Sequence, residues 1–370
     1  MARAFNPSGT FRIPVFDGGW NTKWTDINCP EHMSPDLQNV QYDEVGAAGT
    51  ARGYFTFNAA TLGSAPVDGL ADFYNNTTEY LVAVCSSLVH SCASTGGTFS
   101  VVSGGTNVFS AGFDADIAVV EDEAFITNGR TAPHRFDGTN LHTVGVSAFS
   151  GSLATGALAS AGSIDTGTYW YGIAGLNANG VESNVATLTT GISTTSGNEK
   201  IVLTGIGDFP SSAGVETKYL YRTTAGASTL FYRVTALTAA QSAYTDSAHD
   251  SDLETLAQTT NNTPPPCKYW VYHRGRMFAA GDPNYPQRVW FSSAGQPEIW
   301  PLANALDIGK GDGYPITGLR IMANSVIVHK ASPSGRESSI WLIYMPDSVE
   351  SVDSSNWYII KSPEGTFLSG

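Results

Sequence analysis

The chain has 370 residues and a formal net charge of −14 at pH 7. Hydrophobic residues make up 42% and charged residues only 14%, against about 25% charged in an average globular protein. The acidic balance excludes nucleic-acid binding through a broad basic surface, and no apolar run reaches the ~18 residues of a membrane-spanning helix.

Residues 1–50 read as an extended arm with few strands. Asp17-Gly18-Gly19-Trp20-Asn21 is turn chemistry, and Ser34-Pro35-Asp36 can open one helical turn. Met1-Ala2-Arg3-Ala4-Phe5 lacks the apolar segment of a signal peptide, so synthesis in the cytoplasm is expected. Gly53-Tyr54-Phe55-Thr56-Phe57 is the first convincing strand.

One pattern then returns at both ends of the chain: an apolar strand, a tight turn, a second apolar strand and a Gly/Ser/Pro-rich connection. Leu81-Val82-Ala83-Val84-Cys85 with Leu88-Val89-His90 is one copy, and Ile117–Val120 with Ala124–Thr127 is the next. Tyr269–Tyr272 with Arg276–Ala280, and Leu319–Met322 with Ser325–Val328, follow after a long interval. Each unit presents an apolar face that it cannot bury alone, and radial stacking of such units is the logic of a β-propeller. Four copies are clear, and a fifth could be drawn from the arm and the last strands.

Between these copies the pattern changes. Residues 147–163 are small and weakly patterned, as in a linker. Alternating strands occupy 164–258, including Thr168–Ala174, Lys200–Thr204, Lys218–Thr223 and Thr229–Val234, with a turn at Asn177-Ala178-Asn179-Gly180. Six or seven strands in a segment of about 95 residues fit a β-sandwich of fibronectin type III size. Thr259–Pro266 ends in three prolines and reads as a stiff exit. The expected architecture is all-β. It comprises an arm over 1–50, a β-propeller of four to six blades, complete or incomplete, over 51–147 and 262–370, and a sandwich inserted at 164–258.

Several residues invite a chemical reading. Asp114, Asp116 and Glu121-Asp122-Glu123 are the densest carboxylates, but they flank the strand 117–120 and sit about 13 Å or more apart at ~3.3 Å per residue. They therefore read as turn acids. The seven histidines are scattered, and His249-Asp250 with Asp246 is the one grouping that suggests a metal. Cys29, Cys85, Cys92 and Cys267 have no framework spacing and read as reduced. Phe291–Trp300 superficially resembles a sialidase repeat, but Phe291 and Ala294 stand where that repeat needs Ser and Asp. Trp290, Trp300, Trp341 and Trp357 suit blade packing, or else a sugar-stacking surface. No catalytic, cofactor-binding or metal-binding residue is assigned, and no cofactor is expected.

Charge is segregated along the chain. Residues 1–150 sum to −9, 151–260 to −5, 261–345 to +3 and 346–370 to −3. Plain solvation accounts for this, and so do complementary faces for head-to-tail contact between copies.

Phe16-Asp17-Gly18-Gly19-Trp20-Asn21-Thr22, leading to Ser34-Pro35-Asp36-Leu37-Gln38-Asn39-Val40, resembles the opening of tailed-bacteriophage tail hub, nozzle and DNA-stabilisation proteins. Gly275–Pro283 followed by Gln287–Ser292 is similar to the same family. Val181-Glu182-Ser183, Tyr221-Arg222-Thr223 and Tyr244-Thr245-Asp246 resemble the sandwich module common in it. The resemblance implies a non-enzymatic virion protein forming a ring, often of six copies, on the portal–tail axis. Such a ring lines or plugs the DNA channel beside portal, adaptor and fibre proteins, without sequence-specific DNA binding. A negative wall would repel passing phosphates. The alternative is a receptor- or glycan-binding tail protein.

Overall fold

The structure is a computed structural model. It describes residues 61–362, apart from 64, 77, 94–96, 332–337 and 346–356, together with the backbone of four short strands earlier in the chain. Two compact units divide the chain, Met1–Ala59 and Ala60–Gly370.

In the first unit β1 (Gly19–Trp20) pairs in parallel with β2 (Met33–Ser34). β3 (Val40–Glu44) and β4 (Ala47–Thr50) form a hairpin that the sequence reading missed. Ser34 is extended, as a residue before proline tends to be; Pro35 and Asp36, where the helical turn was expected, lie outside the described residues. The strand expected at Gly53–Phe57 lies outside the described residues.

The second unit starts with two four-stranded antiparallel meanders. The first blade holds β5 (Val67–Asn75), β6 (Thr78–Cys85), β7 (Leu88–Ala93) and β8 (Ser100–Val101). The second holds β9 (Asp116–Val120), β10 (Glu123–Thr127), β11 (His134–Phe136) and β12 (Leu141–Thr143). The β9–β10 turn takes a positive φ at Glu121 (+52°), which matches the right-handed strand twist.

The chain then enters the sandwich. Its strands are β13 (Thr155–Ala159), β14 (Thr168–Tyr169), β15 (Tyr171–Asn177), β16 (Ala186–Thr187), β17 (Ile192–Ser193), β18 (Lys200–Thr204), β19 (Val215–Arg222), β20 (Tyr232–Thr238) and β21 (Ala243–Asp246). One sheet runs β13-β18-β21, the other β16-β15-β19-β20, and β14 pairs with β17. Ile164, Tyr171, Ile173, Ile201, Leu203 and Leu220 belong to one buried core cluster contributed by both sheets.

The sandwich begins earlier than the expected residue 164. Thr155–Ala159 pairs in register with Lys200–Thr204, and Ala154 and Phe149 pack into the same core. This strand lies at a sheet edge and is built from Thr, Gly, Ala and Leu. Its evidence is backbone pairing, which composition does not display.

Two more meanders follow. The third blade holds β22 (Tyr269–His273), β23 (Arg276–Asp282), β24 (Tyr285–Phe291) and β25 (Ala305–Asp307). The fourth holds β26 (Ile316–Met322), β27 (Ser325–Ala331), β28 (Ser338–Tyr344) and β29 (Tyr358–Lys361). The last strand therefore completes the fourth blade and is not part of a fifth.

The leading strands pack side by side, β5 on β9, β9 on β22 and β22 on β26. Blades two and three are thus neighbours although the sandwich separates them in sequence. Apolar layers seal each junction. Phe73, Val82 and Val89 meet Ile126 and Phe136, and Val120 and Phe125 meet Trp270 and Met277. Phe278 and Phe291 meet Leu319, Val328 and Ile343. The third blade is apolar on both faces because both are covered, which is why its strands read as near-continuous apolar runs. The fold is all-β, and the radial stacking is that of a propeller.

His134, in β11, is buried with its ring edge-on to Phe109, and burial lowers its pKa to about 4. In the unfolded chain the group titrates near 6.5. The native state therefore takes up a proton later than the unfolded chain as pH falls. This group's stabilisation is full above pH 6.5 and is lost progressively toward pH 4. The expected result is a melting temperature that falls between pH 7 and pH 5, with a shallower fall in His134→Gln, read by thermal denaturation.

Candidate functional site

Polar groups converge most densely where the sandwich meets the second and third blades. Five segments bring them there: the start of β10, Arg135 in β11, the loop at Gly145 after β12, the turn after β15, and the loop from Ser293 to Glu298. In the turn, Asn177 Oδ1 accepts hydrogen bonds from the Asn179 and Val181 N–H groups at 3.1 and 2.9 Å. This local ring fixes the turn, Gly180 takes a φ of +74°, and the Asn179 side chain points at the blades.

Glu298 is the centre of the cluster and is 1% exposed. Its Oε2 accepts from Arg135 Nε at 3.1 Å, from the Gly145 N–H at 2.9 Å and from Asn177 Nδ2 at 3.1 Å. Its Oε1 accepts from Asn179 Nδ2 at 2.8 Å. Arg135, 2% exposed, also pairs with Glu123. Burial raises the Glu123 carboxyl pKa, and the Arg135 charge opposes that rise. Gly145 adopts φ +72°, and a Cβ there would lie 2.7 Å from the Glu298 carbonyl oxygen, so this approach requires glycine. A cleft of about 370 Å³ opens beside the cluster, lined by Glu121, Asp122, Glu123 and Asn179.

The exit segment is fastened as well. The Asn261 N–H donates to Asn184 Oδ1 at 2.7 Å, and the Trp300 N–H donates to the Asn262 carbonyl at 2.9 Å. The exit segment is therefore bonded, through Asn261 and Asn262 ahead of its prolines, to both the sandwich and the third blade. With the sandwich gripped by ionic and amide bonds at one place and by its exit at another, the geometry resists rotation.

A second buried network lies inside the sandwich. Arg222 Nη1 donates to Asp246 Oδ2 at 2.8 Å, and both residues are 0% exposed. Arg222 Nη2 donates to Asp250 Oδ1 at 2.8 Å, and the Tyr171 hydroxyl donates to Asp246 at 2.6 Å. The Tyr221-Arg222-Thr223 and Tyr244-Thr245-Asp246 motifs thus meet as an ion pair. Asp246 and Asp250 are committed to Arg222, and His249 is exposed, so the suspected metal grouping is a structural clasp instead. Glu182 receives the Tyr221 hydroxyl, and Ser183 Oγ accepts from the Gly175 N–H at 3.0 Å.

The other residues singled out by sequence are also structural. Arg276 donates to the Ser292 carbonyl at 2.7 Å and stacks near Phe291, and Arg288 grips Asp307 through two bonds at 2.7 and 3.2 Å. Asp116 accepts from the Trp270 N–H at 2.8 Å, and Asp114 faces Lys268 at 3.4 Å. Cys85, Cys92 and Cys267 are buried and unbridged, while Cys29 lies outside the described residues. Trp290, Trp300 and Trp357 are buried, and Trp341 is partly buried against the last interblade layer. These four tryptophans offer no sugar-stacking surface. Among the described residues no three His, Cys, Asp or Glu side chains are placed to hold a metal ion.

No family model matches the chain, and no curated protein matches it. Among solved structures it is similar to "YCF48 bound to D1 peptide", at 11% identity over 75% of this chain and 78% of that one. The TM-score is 0.19, too low for the likeness to bear on fold or function.

Proposed function

We propose that the chain is a non-enzymatic assembly subunit of a tailed-phage virion, a ring component of the tail hub or nozzle on the portal–tail axis. The single observation that carries the assembly reading is the far face of the fourth blade. Ile327, Ile340, Leu342 and Ile360 turn away from the third blade, and Met322, Tyr344 and Tyr358 beside them are exposed. A sheet apolar on both sides is built to be covered on both sides. The locked sandwich supports a mechanical role, because it extends the blade arc as one stiff wedge. The placement in a phage tail rests on the sequence resemblance at 16–40, at 275–292 and in the sandwich motifs. On this reading the chain acts as a conduit or plug for DNA, beside portal, adaptor and fibre proteins. Mass spectrometry of gradient-purified particles tests it. The chain is expected in multiple copies per particle, and its absence from particles would end the virion assignment.

A further inference from the structure

At the open end of the fourth blade, β26 presents Gly318, Arg320 and Met322 outward, in register with His329, Ile327 and Ser325. The next strands continue that face with Ile340, Leu342 and Tyr344, then Ile360 and Tyr358. Arg320 is the one arginine or lysine on it, and none of the four strands carries a carboxylate. Arg320 is exposed; its Nη1 donates to its neighbour's carbonyl, Leu319, at 2.9 Å, and its field reaches Asp116.

The other end of the arc has the complementary pattern. β5 presents Leu70, Asp72 and Tyr74 away from the second blade, since Phe73 and the residues paired with it fill the first interblade layer. Leu70 is 64% and Tyr74 57% exposed. The strands of this blade carry Asp68, Asp72 and Glu79 and no lysine or arginine. The centre of the face is already buried at Ala83, His90 and Cys92, so the free part is the leading strand itself.

Both ends therefore show a leading strand with a charge between flanking residues on the outward face, Arg320 on β26 and Asp72 on β5, which carries a second carboxylate at Asp68. Inside the molecule, leading strands already pack on one another at each junction. We propose that the occupant of the fourth blade's far face is a second copy of this chain, seated by its β5 face, with Arg320 of one copy against Asp72 of the next. The contact is head-to-tail, so it closes into a ring or runs on as a filament, depending on the rotation it imposes. The inference rests on the reading of the chain as an assembly subunit and names that subunit's partner.

A charge-swap experiment on the full chain tests it. Arg320→Glu and Asp72→Arg are made separately, with circular dichroism confirming that each folds, and association is measured by sedimentation against concentration. Each variant alone is expected to associate at least tenfold more weakly than the parent. Mixing the two is expected to restore association, because every contact in the mixture can join opposite charges. Parent-like association of either single variant, or no recovery on mixing, overturns the proposal. So does a parent that stays monomeric at every concentration, which would assign the face to a different protein. A chain found in particles without this contact overturns only the proposed partner; a chain missing from particles overturns the virion reading.

Discussion

Arg135→Leu is expected to lower the unfolding free energy by about 3–5 kcal/mol, because it leaves the Glu298 carboxylate buried without its cation. Glu298 is 1% exposed and cannot recover solvation where it stands. Domains of ordinary stability hold only about 5–15 kcal/mol, so the loss is a large share. Glu298→Leu is expected to cost less, about 2–3 kcal/mol, since Arg135 and Asn179 keep Glu123 while the Gly145 and Asn177 donors lose their acceptor. The two losses should not add: a variant carrying both changes should be more stable than the sum predicts, because the deeply buried Glu298 charge is removed together with its cation and only the less buried Glu123 is left without Arg135. Urea denaturation measures all three. Hydrogen exchange separates the mechanism, with faster exchange expected at Asn177–Val181 and Gly145. Additive losses with unchanged exchange at the junction would show that the cluster does not hold the sandwich to the blades.

Arg222→Leu is expected to produce a loss of similar size, about 3–5 kcal/mol, confined to the sandwich. It strands Asp246, a 0% exposed carboxylate whose other partners are the Tyr171 hydroxyl and the Ala248 N–H at 3.0 Å. Removing Arg222 also frees the Ala248 carbonyl and Asp250, which the guanidinium holds against β19. Exchange protection should fall across β15, β18, β19 and β21 and persist in the third blade. Protection lost equally everywhere would mean that sandwich and blades unfold as one unit, and would remove the distinction between the two networks.

The four hairpins were legible because each couples a continuous apolar run to a tight turn, and a strand buried on both faces has no alternation to hide. In the first blade the legible hairpin is the second and third strands, β6 and β7, whereas in the others it is the first two. Val67–Asn75, the leading strand there, carries Asp68, Asp72, Leu70 and Tyr74 on partly exposed positions and reads less strongly. Thr155–Ala159 was illegible because an edge strand of small residues is defined by its partner. The junction was illegible for a different reason. Glu298 reaches Arg135, Asn177 and Asn179 across 163, 121 and 119 residues, and a single sequence does not encode such proximity in any local pattern. The one available signal was a glutamate set between Pro297 and Ile299-Trp300, where a solvated turn acid would not need apolar neighbours.

The most direct test of the central claim is a cryo-EM map of purified virions searched for this chain. The account predicts a symmetric ring of copies around the tail axis, with neighbouring copies joined blade to blade and the sandwich held rigidly against each. Finding the chain on peripheral fibres, or as single copies off the axis, would contradict it.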